Sequence, residues 1–189
     1  MNNYEYIIAS LPVLDRHENL DADAIVSEIR SQCSSGDNAL IDLLLDSQDP
    51  EKMEESLYRK ALASSNSFIR EYVKWDLRVR NTKAEYLNRV LGRPEGMDVI
   101  DLPGALDYDE KTSVCEVLEQ TDILEREKGI DSLMWDKAAD LSRMHVFDAD
   151  VILSFIARLK ITDRWSKLDP QTGRKMFRSL VDEIRKTRQ

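Results

Sequence analysis

Three acidic pairs, Asp21/Asp23, Asp107/Asp109 and Asp148/Asp150, each place two carboxylates where a hard cation could take oxygen ligands. None has the glycine and distal glutamate of a calcium-binding loop. Asp21/Asp23 and Asp148/Asp150 stand just before apolar helical faces, where a carboxylate satisfies unpaired N–H groups and suits the positive end of the helix, so capping is the preferred role. Nucleophilic catalysis needs a base, and His17 and His145 are the two histidines. A Cys115/His145 pair can be drawn, but a buried thiol and a helix-end imidazole explain the two more simply. Cys33 and Cys115 lie far apart and outside any CxxC, which argues against both a disulfide framework and a structural zinc site. Phosphate loops need closely spaced glycines, and neither GxGxxG nor GxxxxGK[ST] occurs. The reading is a protein without catalytic, cofactor or metal sites.

The most informative polar group is Trp75-Asp76-Leu77-Arg78-Val79-Arg80-Asn81. Asp76 and Arg80 are four apart, with the carboxylate nearer the N-terminus, the favourable order for a helical ion pair. On a solvated face such a pair contributes about 0.3 to 0.5 kcal/mol. Between helices, Arg80 and Asn81 supply fixed donors that can pin helix register or meet a partner carboxylate. Both readings stand at this level.

The elements that position these residues are helical. The segment from Phe68 to Leu91 repeats apolar residues at three- and four-residue intervals and ends at Gly92 and Pro94, predicting the longest helix. Tyr4 to Leu11, stopped by Pro12, has a spacing that fits a helix or a strand about equally, with helix preferred. Asp21 or Asp23 is expected to cap a helix through Ile25, Val26 and Ile29, and Asp37 another through Leu40, Ile41, Leu44 and Leu45. Asp49-Pro50 and Asp169-Pro170 both read as a cap followed by proline at the first helical position. Val114, Val117, Leu118 and Leu124 form one apolar set, Leu133, Met134, Ala138 and Leu141 a second, and Val151 to Ile161 a third. Met176, Phe177, Leu180, Val181 and Ile184 predict a last helix. The fold class is all-α: a multi-helix bundle over residues 1–189, with a possible lobe boundary in the 92–110 loop. Trp75, Tyr86, Phe155, Trp165 and Phe177 are expected to be mostly buried.

With 189 residues and 42% apolar content, the chain can bury a real core. No apolar run approaches the roughly 18 to 20 residues of a membrane span, and MNNYEYIIASLPVLD lacks the features of a signal peptide, which predicts a cytoplasmic protein. The formal charge of −9 argues against general nucleic-acid binding. It hides an asymmetry: residues 94–155 carry 16 acidic against 5 basic side chains, and residues 156–189 carry 4 against 10. Mutual packing or plain solvation of these faces accounts for this most simply; separate docking surfaces of opposite sign are the alternative.

Three stretches carry a resemblance: YEYIIASLPVL near the start, RVRNTKAEYLNRVLGR on the central helix and HVFDADVILSFIARLKITDRWSKLDPQTGRKMF near the end. In order and spacing they resemble a bacterial family of unassigned function encoded beside the genes of V/A-type rotary ATPases. That family is itself similar to a shortened form of the funnel-shaped helical component of those ATPases, which sits on the membrane rotor ring and receives the central shaft. The full-length funnel component is considerably longer, and the 94–110 loop has no match. The resemblance implies a non-catalytic accessory or central-stalk component that couples the soluble shaft to the membrane rotor ring in proton or sodium transport. It would be peripheral to the inner membrane through its partners. The positions carried over are Arg80, Asn81, Asp148, Asp150, Arg164 and Trp165, and Asp76 joins them as the neighbour of Arg80. The competing class is a free-standing helical adaptor binding protein or nucleic acid through Arg174, Arg178 and Arg185. A third class is an enzyme using acidic pairs or Cys115 in a helical cleft.

Overall fold

The computed structural model describes residues 4–14 and 20–167. Among them are eight helices and no strand: α1 (Glu5–Ser10), α2 (Ala22–Gln32), α3 (Ser35–Ser47), α4 (Glu55–Leu62), α5 (Ser67–Leu91), α6 (Lys111–Leu118), α7 (Ile123–Ser142) and α8 (Ala149–Lys167). The all-α class and the long central helix are as the periodicity predicts. The helix expected after Asp169-Pro170, with Arg174, Phe177, Arg178 and Arg185, lies outside the described residues, as does His17.

α5 is the axis. Asn66 begins it by accepting the Ile69 N–H at 2.9 Å, and Gly92 ends it at φ +62°, a left-handed conformation that side chains with a Cβ resist. Helices α3, α4, α6, α7 and α8 all pack on it. The side chains of Phe68, Ile69, Tyr72, Val73, Trp75 and Leu77 vanish into one core that also takes Ile152, Leu153, Ile156 and Leu159 of α8. Helices α7 and α8 form an antiparallel pair, held near their junction by Ser154 Oγ, which donates to the Ala138 carbonyl at 2.7 Å. Because Asn66 and Asp150 meet, α5 and α8 start at the same end of the molecule.

Two expected helix starts are corrected. Asp37 does not cap α3; Ser34 does, and Asp37 stands three residues on, its N–H donating to Ser34 Oγ at 3.2 Å while Ser34 Oγ donates to Asp37 Oδ2 at 2.7 Å. Asp49-Pro50 opens a turn, in which Asp49 Oδ1 accepts the Glu51 N–H at 3.0 Å, and α4 begins only at Glu55. At α3 one short polar side chain took the place of another, whereas α4 starts after Glu54 with no side-chain cap. Trp75 and Phe155 are buried as expected, whereas Tyr86 and Trp165 are half-buried.

Loop 92–110 joins α5 to α6. It folds back along α5 and is fastened at four points. Asn81 donates to the Ile100 carbonyl at 2.8 Å and accepts the Ile100 N–H at 3.0 Å. Asn88 donates to the Met97 carbonyl at 2.8 Å, and Arg78 Nε to the Gly104 carbonyl at 2.8 Å. Thr82 and Tyr108 hydroxyls meet at 2.7 Å.

Candidate functional site

The polar group on α5 splits between two sides of the helix. Asn81, 1% exposed, spends both halves of its amide on Ile100 and so pins the loop. Arg80 faces the other way, into a cleft of about 630 Å³ between α3, α5, α7 and α8. Asp76 shares that cleft, but no contact short enough for an ion pair joins it to Arg80. Its carboxylate instead accepts the Tyr58 hydroxyl at 2.9 Å. Burial pushes the Asp76 carboxyl up to about 6, against the opposing pull of that hydrogen bond and of the Arg80 charge. The same burial, with Asp76 beside it, holds the Tyr58 phenol well above its ordinary range.

Across the cleft, Asp131 of α7 receives two donors from α8. The Arg164 guanidinium pairs with Asp131 Oδ2, and Trp165 Nε1 donates to the same oxygen at 2.5 Å. Burial raises the Asp131 pKa, and the two donors counter it. One pair drawn from the acidic and basic regions, Asp131 and Arg164, thus meets between α7 and α8. Lys83 and Glu127 join α5 to α7 at 2.7 Å on the same rim. Apolar walls come from Met53, Val79, Met134 and Ile161. At the floor, Tyr72 Oη and Gln48 Oε1 are buried without a partner at hydrogen-bonding geometry, and both are shut off from solvent.

Asp148 and Asp150 sit elsewhere, at the end where α5 and α8 begin. Asp148 Oδ1 accepts the Asp150 N–H at 3.1 Å, a capping contact at the start of α8. Asp150 accepts the Asn66 amide at 2.5 Å and the Ser67 hydroxyl at 3.4 Å, so it ties the two helix starts together. His145 Nδ1 lies 2.6 Å from Asp148 Oδ2, and its Nε2 lies 3.6 Å from Asp150 Oδ2. The Asp148 hydrogen bond raises the imidazole's pKa. His145 is thus engaged by carboxylates, and Cys115 is half-buried on α6. Among the described residues no group of three or more His, Cys, Asp and Glu side chains is arranged to hold a metal ion.

Of the positions singled out in the sequence, Asp76, Arg80 and Arg164 line one cleft, with Trp165 joined to it through Asp131. Asn81, Asp148 and Asp150 are used in structural ties. Sequence reasoning missed Asp131, Tyr58 and Asn88. Asn88 was legible: it lies seven residues after Asn81, two helical turns along the same face.

The remaining feature is apolar exposure at both ends of the layer formed by α5, α7 and α8. At one end are Val90, Leu91, Met97, Ile123 and Leu124, gathered where Arg89 meets Glu119 at 3.3 Å and Arg126 covers the Tyr86 ring at 5.5 Å. At the other are Met144, Val146 and Phe147, with Tyr6 beside them through the Tyr4 N–H, which donates to the Phe147 carbonyl at 2.8 Å. Met144 is 88% exposed and Ile123 72%, values unusual for side chains of their kind.

Residues 50–188 match the family described as "Protein of unknown function (DUF2764)". The chain belongs to that family. The match spans the central helix, both exposed ends except Tyr6, and the cleft apart from Leu45, Gln48 and Asp49. No curated protein and no solved structure matches the chain. Among the described residues, no helix is long and apolar enough to cross a membrane.

Proposed function

We propose that this DUF2764 protein is a non-catalytic helical connector, an accessory or central-stalk component of a V/A-type rotary ATPase that joins the soluble shaft to the membrane rotor. The observation that carries the connector role is the pair of exposed apolar ends. They are separated by the length of α5, whose 25 residues span about 37 Å. Side chains that would weaken a rigid rod are absent from its interior: α5 has no glycine or proline between Ser67 and Leu91, and its polar residues clasp a loop along its flank. A rod with a sticky surface at each end can transmit force between two partners without chemistry of its own. The ATPase itself is supported by the three resembling blocks, two of which lie within the family match.

The test is recovery of the chain with detergent-solubilised ATPase from a host that carries the gene, with Leu124→Ser and Met144→Ser compared singly and together. Each single change is expected to reduce recovery and the pair to abolish it, with unchanged thermal stability. Absence of the unaltered chain from intact ATPase removes the assignment.

A further inference from the structure

The cleft beside Arg80 is elongated. Its α5 wall is a stripe from Tyr72 through Asp76, Val79 and Arg80 to Lys83, a run of about 16 Å along the helix. Because α5 and α8 start together where Asn66 meets Asp150, Arg80 and Arg164, each fourteen residues further on, stand at about the same level. Lys167, the last residue described, is therefore less than a turn beyond the cleft's Arg164, at the Lys83 end. Leu45, Met53 and Ile161 line the cleft and are half-buried, so the described helices leave these apolar side chains partly in water. Four carboxylates and four cations also line it, so net charge selects no occupant and apolar contact has to.

The sequence after Lys167 has matching features. Pro170 cannot continue the hydrogen bonding of α8 and disfavours helical backbone at Asp169, so the chain can change direction there. Met176, Phe177, Leu180, Val181 and Ile184 then recur at helical spacing, a stripe of about 12 Å if helical, which fits within the length of the cleft. Residues 168–175 separate Lys167 from that stripe and reach up to about 26 Å when extended, enough for the chain to double back along the cleft. The family match runs on to residue 188 and so includes this segment.

From this we infer that the cleft is the docking groove for the chain's own segment 171–187, laid in as an amphipathic helix with its apolar stripe against Leu45, Met53 and Ile161. Covalent attachment gives the segment an effective concentration that a free peptide lacks, so a short apolar stripe suffices. Arg174, Arg178 and Arg185 lie about 100° round the helix from the centre of that stripe and stay outside the cleft as a basic row. The inference stands apart from the connector reading, because it concerns the flank of the rod and not its tips.

The experiment uses the full chain and two measurements. In hydrogen exchange read by mass spectrometry, amides of 174–186 should exchange at least about tenfold more slowly than in a synthetic peptide of residues 168–189. Phe177→Ser with Leu180→Ser should remove that protection, and so should Met53→Glu with Ile161→Glu in the cleft, while Met144→Ser with Val146→Ser leaves it unchanged. Segment amides as fast as the free peptide's overturn the inference, as does protection that survives the cleft changes. The second measurement needs no variant. Lys83 and Lys74 lie on opposite sides of α5, Lys83 on the cleft and Lys74 against Gly104 of the loop. An amine-reactive crosslinker on the unaltered chain should join Lys175 or Lys186 to Lys83 and not to Lys74. Crosslinks to Lys74 alone, to both equally or to neither place the segment elsewhere and overturn the inference even if the cleft variant does not fold. Mixing nitrogen-15-labelled with unlabelled protein shows whose segment is held: crosslinks within one chain are expected, and crosslinks between chains overturn the inference, because the occupant is then a second copy.

Discussion

At Asn81 a single amide closes two backbone hydrogen bonds that the loop cannot supply for itself, since Ile100 has no helical neighbour to pair with. Asn81→Ala leaves a half-buried N–H and carbonyl without their partner and is expected to lower stability by about 1 to 3 kcal/mol, whereas Lys128→Ala, which breaks an exposed pair with Glu125, should stay within about 0.5 kcal/mol. Urea unfolding of the two variants checks this, and equal losses would show that the clasp contributes nothing. Asp76 makes a pH-dependent contribution of the opposite kind. Its carboxyl titrates near 6 when folded against 3.8 in the unfolded chain, so between those values the folded state binds more protons. Stability from this group therefore falls as pH rises through that window and stays at its lowest above it. Asp76→Asn keeps an acceptor for Tyr58 and removes the charge. The variant should gain about 1 to 2 kcal/mol on the unaltered chain between pH 4.5 and pH 7, a figure reduced for the solvent that reaches this half-buried group. A pH-independent difference would refute the raised pKa. His145 acts in a later window: its raised pKa adds stability that is fully present below about 6.5 and is lost as pH rises through the folded value.

Between elements, the contact of α6 with α7 depends on Gly129. Glycine in a helix interior is less favourable than alanine by about 1 kcal/mol, so propensity alone predicts that Gly129→Ala stabilises α7. The structure reverses the sign. A Cβ at Gly129 would stand 2.5 Å from Val117 Cγ1 of α6, closer than carbon atoms approach, and the conflict is with a β-branched side chain that has little freedom to turn aside. Overpacking of this kind costs about 1 to 3 kcal/mol, which exceeds the propensity gain. Gly129→Ala is expected to lower the thermal midpoint, and adding Val117→Ala should restore part or all of the loss. Failure of the second change to help would place the strain elsewhere. At the opposite junction, Asn66 caps α5 and also reaches Asp150 of α8. Asn66→Ala should therefore cost more than the roughly 1 kcal/mol of a lone cap, and Asn66→Ser, which can cap but is too short to make the amide's reach, should recover only part.

For the whole molecule, the axis set by α5 explains why function is sought at the ends. Its flanks are occupied by α3, α4, α6, α7, α8 and the fastened loop, so under the proposed connector role a partner would meet the rod at its tips or at the cleft beside Arg80. Replacing Arg80 by alanine tests the cleft against the tips. If the tips carry assembly, Arg80→Ala should leave ATPase recovery near that of the unaltered chain, while the combined Leu124 and Met144 changes abolish it. Loss of recovery with Arg80→Ala at unchanged stability would move the partner site into the cleft.

Residue spacing alone determined that this chain is a helical bundle with its longest helix from about Phe68 to Leu91, because a 3.6-residue period is a local property that each segment states for itself. Capping chemistry was also legible at Asp21, which accepts the Ala24 N–H at 3.0 Å, and at Asp148. Only the tertiary structure decided which polar residues are consumed inside and which remain outside. Adjacent residues on α5 point about 100° apart, so Arg80 and Asn81 look like one motif in sequence yet serve a cleft and a loop. Asp131 was one carboxylate among many until α8 brought Arg164 and Trp165 to it from more than thirty residues away. Leu124 reads as one more apolar residue at helical spacing, but it falls in the first turn of α7 and stays exposed among the described residues. Periodicity says which face of a helix is apolar; whether another element arrives to cover that face is a long-range fact that no local pattern contains.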